Sequence, residues 1–462
     1  MLAASTPRSR FTTEMRATMR LAAPIVGAQM AQIGMGITDT VMLGGLGRDA
    51  LAAGGLGAMM FFTFVMILQG LMSAAAILIA HARGANDETR IAPILRASYL
   101  VATCMAVPLM LLLSQAEHFL RAVGEPEALS VAVAPYENVL LLATPAAMWM
   151  GVQRAYLSAM NRPHLIMGVA VTALFVNGFL NYGLIYGAFG LPELGYVGSA
   201  TASAITLWLQ MIATAIGIAA TPALRRFQQW GPIEGRLVYE ILHLGWPIAV
   251  TVGVETMLFG SAGLLTGILG ATALAAHQIA LTTAAFMFMI PLGIGQAANV
   301  RVGYHTGAGQ ARDARRAGFA ALTLGILFST VSGIVMIAVP RQIALLFGLD
   351  PTNPNDAGVI DIAVHLLVIG AAFQLVDGLQ AIASGALRGL KDTRLPMILA
   401  AIGYWLVGFP VAWALGLHTD WGAQGVWVGL ALSLATAAIF LVARFWVLSE
   451  RAIALQAQPA AT

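Results

Sequence analysis

Charge is what this 462-residue sequence has least of, with 10% of its residues Asp, Glu, Lys or Arg against roughly 25% in a soluble domain. So few charges cannot cover a water-facing surface. Cysteine is nearly absent as well. Cys104 stands alone in an apolar run, which excludes an internal disulfide or thiolate metal cluster and leaves a small inert side chain. No Walker A sequence is present, so the chain does not hydrolyse ATP. The eight histidines form no HExxH or similar pair at metal spacing. With no other catalytic constellation, an enzyme is not expected, and neither is an organic cofactor. Long polar stretches are missing too, which removes the extramembrane domain that a receptor or scaffold needs.

What fills the sequence instead is apolar. Hydrophobic residues make up 59% and mean hydropathy is +0.82. Runs longer than about 18 residues recur throughout, each long enough to cross a bilayer core of about 30 Å. They lack strict alternation, so they read as helices rather than barrel strands. The expected fold is an all-α polytopic membrane protein with twelve transmembrane helices. The spans fall at 17–44, 52–81, 94–115, 131–158, 163–187, 195–219, 238–269, 274–304, 316–339, 358–387, 394–415 and 424–447. Turn residues mark the breaks, among them Gly44-Gly45, Gly84 before Asn86-Asp87, Asn161-Arg162-Pro163 and Asn353-Pro354. Pro145, Pro247, Pro291 and Pro410 inside spans imply kinks.

Basic residues test this map. With a cytoplasmic N-terminus, 21 of the 24 Lys and Arg fall on the cytoplasmic side, leaving only Arg48, Arg121 and Arg341 outside. That asymmetry is what the positive-inside rule requires, and it puts both termini in the cytoplasm. The same scatter argues against nucleic acid as a partner, despite a pI near 9.2. The opening MLAASTPRSRFTTEMRATMR has no apolar h-region and reads as a cytoplasmic tail.

The chain repeats itself. A shift of 223 residues aligns 24–85 with 247–308 without a gap, with 16 of 62 positions identical, including Pro24-Ile25 on Pro247-Ile248. A shift of 230 aligns Leu157, Leu165, Met167 and Gly195 with Leu387, Leu395, Met397 and Gly425. Six helices per copy is an even number, so the copies are parallel, related by a pseudo-two-fold along the membrane normal. The expected domains are a tail at 1–16, an N-lobe at 17–220, a polar linker at 221–237, a C-lobe at 238–447 and a tail at 448–462.

Three carboxylates stand deep in spans: Asp39, Glu255 and Asp377. An ionised acid there costs about 2.5–3.5 kcal/mol on insertion scales. No Lys or Arg lies mid-span to pair with them, so each must be protonated, cation-bound or wet. The repeat pairs Asp39 with Ala262, Glu255 with Gln32 and Asp377 with Ala147, so the acids are private to one copy while the shared positions build scaffold. Glu255 and Asp377 could share one Na⁺; the alternative for Asp39 is a structural acid hydrogen-bonded to neighbouring Thr or Asn side chains. Asn177 and Asn181 share a face of the fifth span and either complete a cation site with Asp39 or make interhelical hydrogen bonds. Gln278, Gln296 and Asn299 are weaker candidates. Phe286, in the run Phe286-Met287-Phe288-Met289, is a candidate cavity residue for apolar ligands. Glu137, Asp361 and Glu240 are expected to reach an interface.

These motifs carry a family resemblance over essentially the whole chain. Asp39-Thr40-Val41-Met42 with Leu51-Ala52-Ala53, NYGLIYGAFGLPELGYVGSA at 181–200, PLGIGQAANVRVGYHTGAG at 291–309 and ALRGLKDTRLP at 386–396 resemble the multidrug and toxic compound extrusion (MATE) transporters, in the NorM-type branch. The resemblance implies two six-helix lobes, a central cavity open to one side at a time, and export of cationic, amphipathic compounds in exchange for Na⁺ or H⁺. It implies a coupling acid at Asp39, cation-binding acids at Glu255 and Asp377, and a contribution from Asn177 and Asn181. Some relatives carry a second acid on the fifth span; Asn181 here tilts the expectation toward Na⁺. No obligatory protein partner is implied. The competing expectation is a flippase for a lipid-linked saccharide, whose anionic substrate would call for mid-cavity arginines.

Overall fold

The structure, a computed structural model, describes residues 7–457, and among these it contains helices and turns but no strand. Twelve helices are long and apolar enough to cross a membrane: α1 (Arg10–Gly44), α2 (Arg48–Gly84), α3 (Glu88–Leu113), α4 (Glu127–Ala159), α5 (Pro163–Tyr186), α6 (Tyr196–Ala220), α7 (Gly235–Ile268), α8 (Ala271–Gly307), α9 (Ala311–Ala338), α10 (Asp356–Gly389), α11 (Arg394–Leu417) and α12 (Gly422–Ala457). All twelve expected spans are present. Large apolar side chains such as Val41, Phe175, Leu264 and Ile439 stand exposed on them, as lipid-facing residues must. Several helices outrun the apolar stretch that announced them. Residues expected as tails are helical at 7–16 and 448–457, because a backbone ladder continues into water wherever its side chains allow. Residues 1–6 and 458–462 of those tails lie outside the described residues.

Breaks in the helices follow proline chemistry in part. A proline ring collides with the carbonyl four residues earlier. Before Pro145, α4 tightens into a 3₁₀ turn at Leu141–Ala143, and before Pro410, α11 widens into a π-helical segment at Ile402–Gly408. Pro247 and Pro291 are instead carried within unbroken helices. Ser73 interrupts α2 without a proline, its hydroxyl donating to the Gly70 carbonyl at 2.6 Å.

The internal repeat extends beyond the residues that reveal it. A shift of 223 carries left-handed Gly47 (φ 109°) onto left-handed Gly270 (φ 114°), and Asn86 (56°) onto Gly309 (69°). The shift of 230 carries Asn161 (56°) onto Lys391 (62°). A left-handed lysine costs about 1–2 kcal/mol, so that turn is imposed by the fold. The first shift also brings the short helix Ala116–Val123 onto the short helix Pro340–Leu345.

The helices pack into two compact units. One unit comprises Gly27–Ala82 and Asp87–Ala249; the other comprises Val250 onward, Arg83–Asn86 and the residues of α1 up to Val26. The cuts therefore pass through α1 and α7, not through 221–237, and the shift of 223 maps one cut onto the other. Ion pairs account for this. Glu14 of α1 binds Arg301 of α8 through both carboxylate oxygens at 2.8 Å and meets His305 at 3.2 Å. Glu240 of α7 pairs with Arg90 of α3 at 3.7 Å. Backbone packing adds to it: a Cβ on Gly245 would come within 2.6 Å of the Leu71 carbonyl.

Candidate functional site

In the unit holding most of the first repeat, Asp39 lies near the end of α1 and is buried. Its two oxygens accept from different helices: Asn181 Nδ2 of α5 at 2.7 Å and Ser203 Oγ of α6 at 2.9 Å. Asn177, one turn before Asn181, donates to the same Ser203 hydroxyl at 3.5 Å. The close approach of α5 and α6 needs a glycine, since a Cβ on Gly198 would sit 2.4 Å from the Leu184 carbonyl oxygen. That approach presents Ser203 to the acid, with Ser199 one turn before it on α6. Tyr136 of α4 completes the wall, its ring set against Gly57, where a Cβ would stand 2.7 Å from it, and its phenol within range of the Asp39 charge.

The asparagine N–H groups around Asp39 are matched, but several oxygens are not. Asn177 Oδ1, Asn181 Oδ1 and Ser199 Oγ are all buried without a hydrogen-bond partner. Orphaned oxygens beside a carboxylate are costly unless something positive reaches them. The two alternatives for the asparagines thus coexist: their amide N–H groups make interhelical hydrogen bonds, and their oxygens remain available. Ser199, Ser203 and Tyr136 are additions that the sequence did not single out. The i,i+4 serines in GSATASA were the available signal.

In the other unit, Asp377 of α10 is buried with Oδ1 unpartnered, while Glu255 of α7 is only partly buried. Gln380, one turn from Asp377, donates to the Tyr404 hydroxyl at 2.6 Å, and Tyr404 sits in the π-helical segment of α11. π-Segments of this kind are frequent at functional sites. The charges of Glu255 and Asp377 act on each other, on Tyr404 and, for Glu255, on Arg388. Arg388 stands in the last turn of its helix, as expected of the basic residues, and its charge nonetheless reaches Glu255. It lies three turns beyond Asp377 on α10, where a long side chain can reach back along the helix.

The first repeat holds a counterpart. Gln32, the equivalent of Glu255, accepts from Arg154 Nη2 of α4 at 2.8 Å, and Arg154 Nε is left without a partner. In the first repeat an arginine of the fourth helix thus contacts this position of the first helix, and in the second the charge of Arg388 acts on Glu255.

The remaining candidates separate. Gln278 and Phe286 are exposed and Gln296 is half-buried. Asn299 is buried with Oδ1 unpartnered, and its backbone packs against Gly389 at the end of α10. Asp361 is exposed, as expected, but Glu137 is not: it is fully buried and neither carboxylate oxygen has a partner. Its helix is longer than its apolar core, so distance from the expected helix end misjudged its depth. Among the described residues no three His, Cys, Asp or Glu side chains converge, so a cation held at Glu255 and Asp377 would take its other ligands from neutral oxygens.

Twelve spanning helices built on a repeat, with carboxylates set at membrane depth, define a polytopic transporter. The MatE family model matches residues 24–183 and 247–414, beginning at the two equivalent prolines, and the chain belongs to that family. It is 47% identical over 444 residues to the "Probable multidrug resistance protein NorM" of Burkholderia mallei, covering 96% of this chain and 95% of the relative. It is 46% identical over 438 residues to the "Multidrug resistance protein NorM" of Burkholderia vietnamiensis, covering 95% of each. Among solved structures, the eukaryotic MATE transporter AtDTX14 superposes with a TM-score of 0.85 at 20% identity, over 96% of this chain and 99% of that one. The Vibrio cholerae MATE transporter VcmN in its bent form also gives 0.85, at 18% identity, over 96% of this chain and 99% of that one. These two likenesses concern the fold.

Proposed function

We propose that the protein is a secondary active multidrug exporter of the bacterial inner membrane, exchanging cationic amphipathic compounds for Na⁺ or H⁺ by alternating access. Buried carboxylates with orphaned oxygens carry this reading: Asp39 beside the free amide oxygens of Asn177 and Asn181, and Asp377 with its own Oδ1 unpartnered. Membership of the MatE family and relatives described as multidrug resistance proteins support it. A drug cation or a coupling ion neutralises these acids, and neither binds well where the other is bound. Entry of the ion from outside therefore releases the drug, and the ion's gradient resets the protein. A potential of 100 mV supplies about 2.3 kcal/mol per charge moved, enough for one or two ions to drive substantial accumulation. Positive-inside asymmetry supports cytoplasmic termini.

The test is ethidium export from proteoliposomes under an imposed Na⁺ gradient and then an imposed pH gradient, for wild type and Asp377→Asn. Export with either gradient, lost in the variant, is expected and names the ion. Failure of both gradients to move ethidium would overturn the reading and raise that of a lipid-linked saccharide flippase.

A further inference from the structure

Glu137 is the acid that this scheme leaves unused. It lies on α4 between Pro135 and the 3₁₀ turn at Leu141–Ala143. No part of it is exposed, and both carboxylate oxygens lack a hydrogen-bond partner. Val133 and Leu140, its neighbours one turn away on the same helix, are fully buried apolar residues, as is Phe61 of α2. The Phe61 backbone approaches the carboxylate without meeting hydrogen-bond geometry.

The charged and titratable groups on the elements packed against this part of α4 are otherwise engaged or distant. On α2 they are Arg48, Asp49, His81 and Arg83, all toward its ends. On α6, Tyr196 donates to the Ala132 carbonyl at 3.1 Å. On the short helix Ala116–Val123 they are His118, Glu117 and Arg121, and Arg121 pairs with Glu117 at 2.7 Å and with Glu127 of α4 at 3.2 Å. The adjacent Tyr136 feels the charges of both Glu137 and Asp39. None of these groups hydrogen-bonds Glu137.

A bare carboxylate in such surroundings is expensive. A hard cation would neutralise it but needs several oxygen ligands, and Glu137 offers only its own two. A proton needs one. We propose that Glu137 is a proton-binding site of this unit, taking one proton from water onto a carboxylate oxygen and returning it to water once per transport cycle. The interrupted helix on one side and the proline on the other give the segment a place to open. Tyr136, next in sequence, packs against Gly54 of α2 beside Leu43 of α1, one turn from Asp39, and so links the site to the acid whose role in antiport is proposed above. Thr144, two turns further along α4, carries another orphaned buried oxygen and extends the polar track. The proposal rests on the antiport reading only for its place in the cycle.

Infrared difference spectroscopy on the full chain in lipid, after a pH step and after ethidium addition, reads the protonated-carboxyl stretch directly. A band that appears in wild type and is lost in Glu137→Gln is expected, with pH-gradient-driven export falling more than about tenfold. A band unchanged by the substitution, or a variant with wild-type export and pH profile, would overturn it. Should Glu137→Gln fail to fold, glutamate-specific isotope labelling of wild type separates the band from the aspartates, and Glu137→Asp, which keeps the acid, should retain it at a shifted frequency. A titrating Glu137 band in a protein that exports nothing would retire the antiport reading and leave this site standing. Export without such a band would do the reverse.

Discussion

Asn181 donates to Asp39 at 2.7 Å while its own carbonyl oxygen is left buried and unpartnered. One amide therefore serves two purposes, holding the acid in place and keeping an acceptor in reserve. Replacing Asn181 with Leu removes both. A buried hydrogen bond to a charged or chargeable group is worth about 1.5–3 kcal/mol, and a loss of that order is expected in thermal unfolding in detergent. Export should fall along with it. Asn181→Ser, which puts a hydroxyl in place of the amide, should recover part of each. Equal behaviour of the two variants would remove Asn181 from the site.

The contact of Gln32 with Arg154 leads to a second expectation. Gln32→Glu converts a hydrogen bond from the Arg154 guanidinium to a neutral amide, at 2.8 Å, into an ion pair, and stability should rise by about 1–3 kcal/mol. Thermal unfolding of the single variant reads this directly. No gain would mean that Arg154 finds its counter-charge elsewhere.

Glu255 and Arg388 are best examined as a pair. A double-mutant cycle of Glu255→Gln and Arg388→Gln on stability should return a coupling of about 0.5–3 kcal/mol. If Arg388 competes with the coupling ion for Glu255, Arg388→Gln should also tighten the ion's half-saturating concentration for export. A coupling near zero would place the two charges in separate environments.

Glycine substitutions separate close packing from helix propensity. Gly198→Ala forces a methyl to 2.4 Å from the Leu184 carbonyl oxygen, and overpacking of this kind costs about 1–3 kcal/mol. It should also pull Ser203 from Asp39. Gly36→Ala, with nothing within 4 Å of the added carbon, should be neutral or stabilising by about 0.5–1 kcal/mol. Melting temperatures of the two variants decide between these outcomes.

Much of the fold was legible because hydropathy at membrane depth leaves a chain few choices. Asp39, Glu255 and Asp377 were legible for the same reason, since a charge in an apolar run is conspicuous without any partner in view. Ser203 and Tyr136 were not: hydroxyls are ordinary in spans, and only helix packing shows which face meets Asp39. Arg388 was hidden by its position at a helix end, where a basic residue is expected anyway. Glu137 was misplaced because its depth depends on what surrounds α4, and sequence distance from a turn does not report that. The unit boundary escaped for another reason. An unbroken helix gives no local sign that its two ends belong to different cores.

Glu14 and Arg301 are separated by 287 residues, which has a consequence for biosynthesis. The opening turns of the chain leave the ribosome first, yet the helix that receives them is the eighth to be made. At about 5–20 residues per second, that wait lasts on the order of 15–60 s. During it the first turns of α1 are an amphipathic segment with no protein partner, free to meet lipid headgroups or the insertion machinery. Completion of the fold is thus gated by translation of α8, and a nascent chain stalled before that point holds its first helix anchored at one end only.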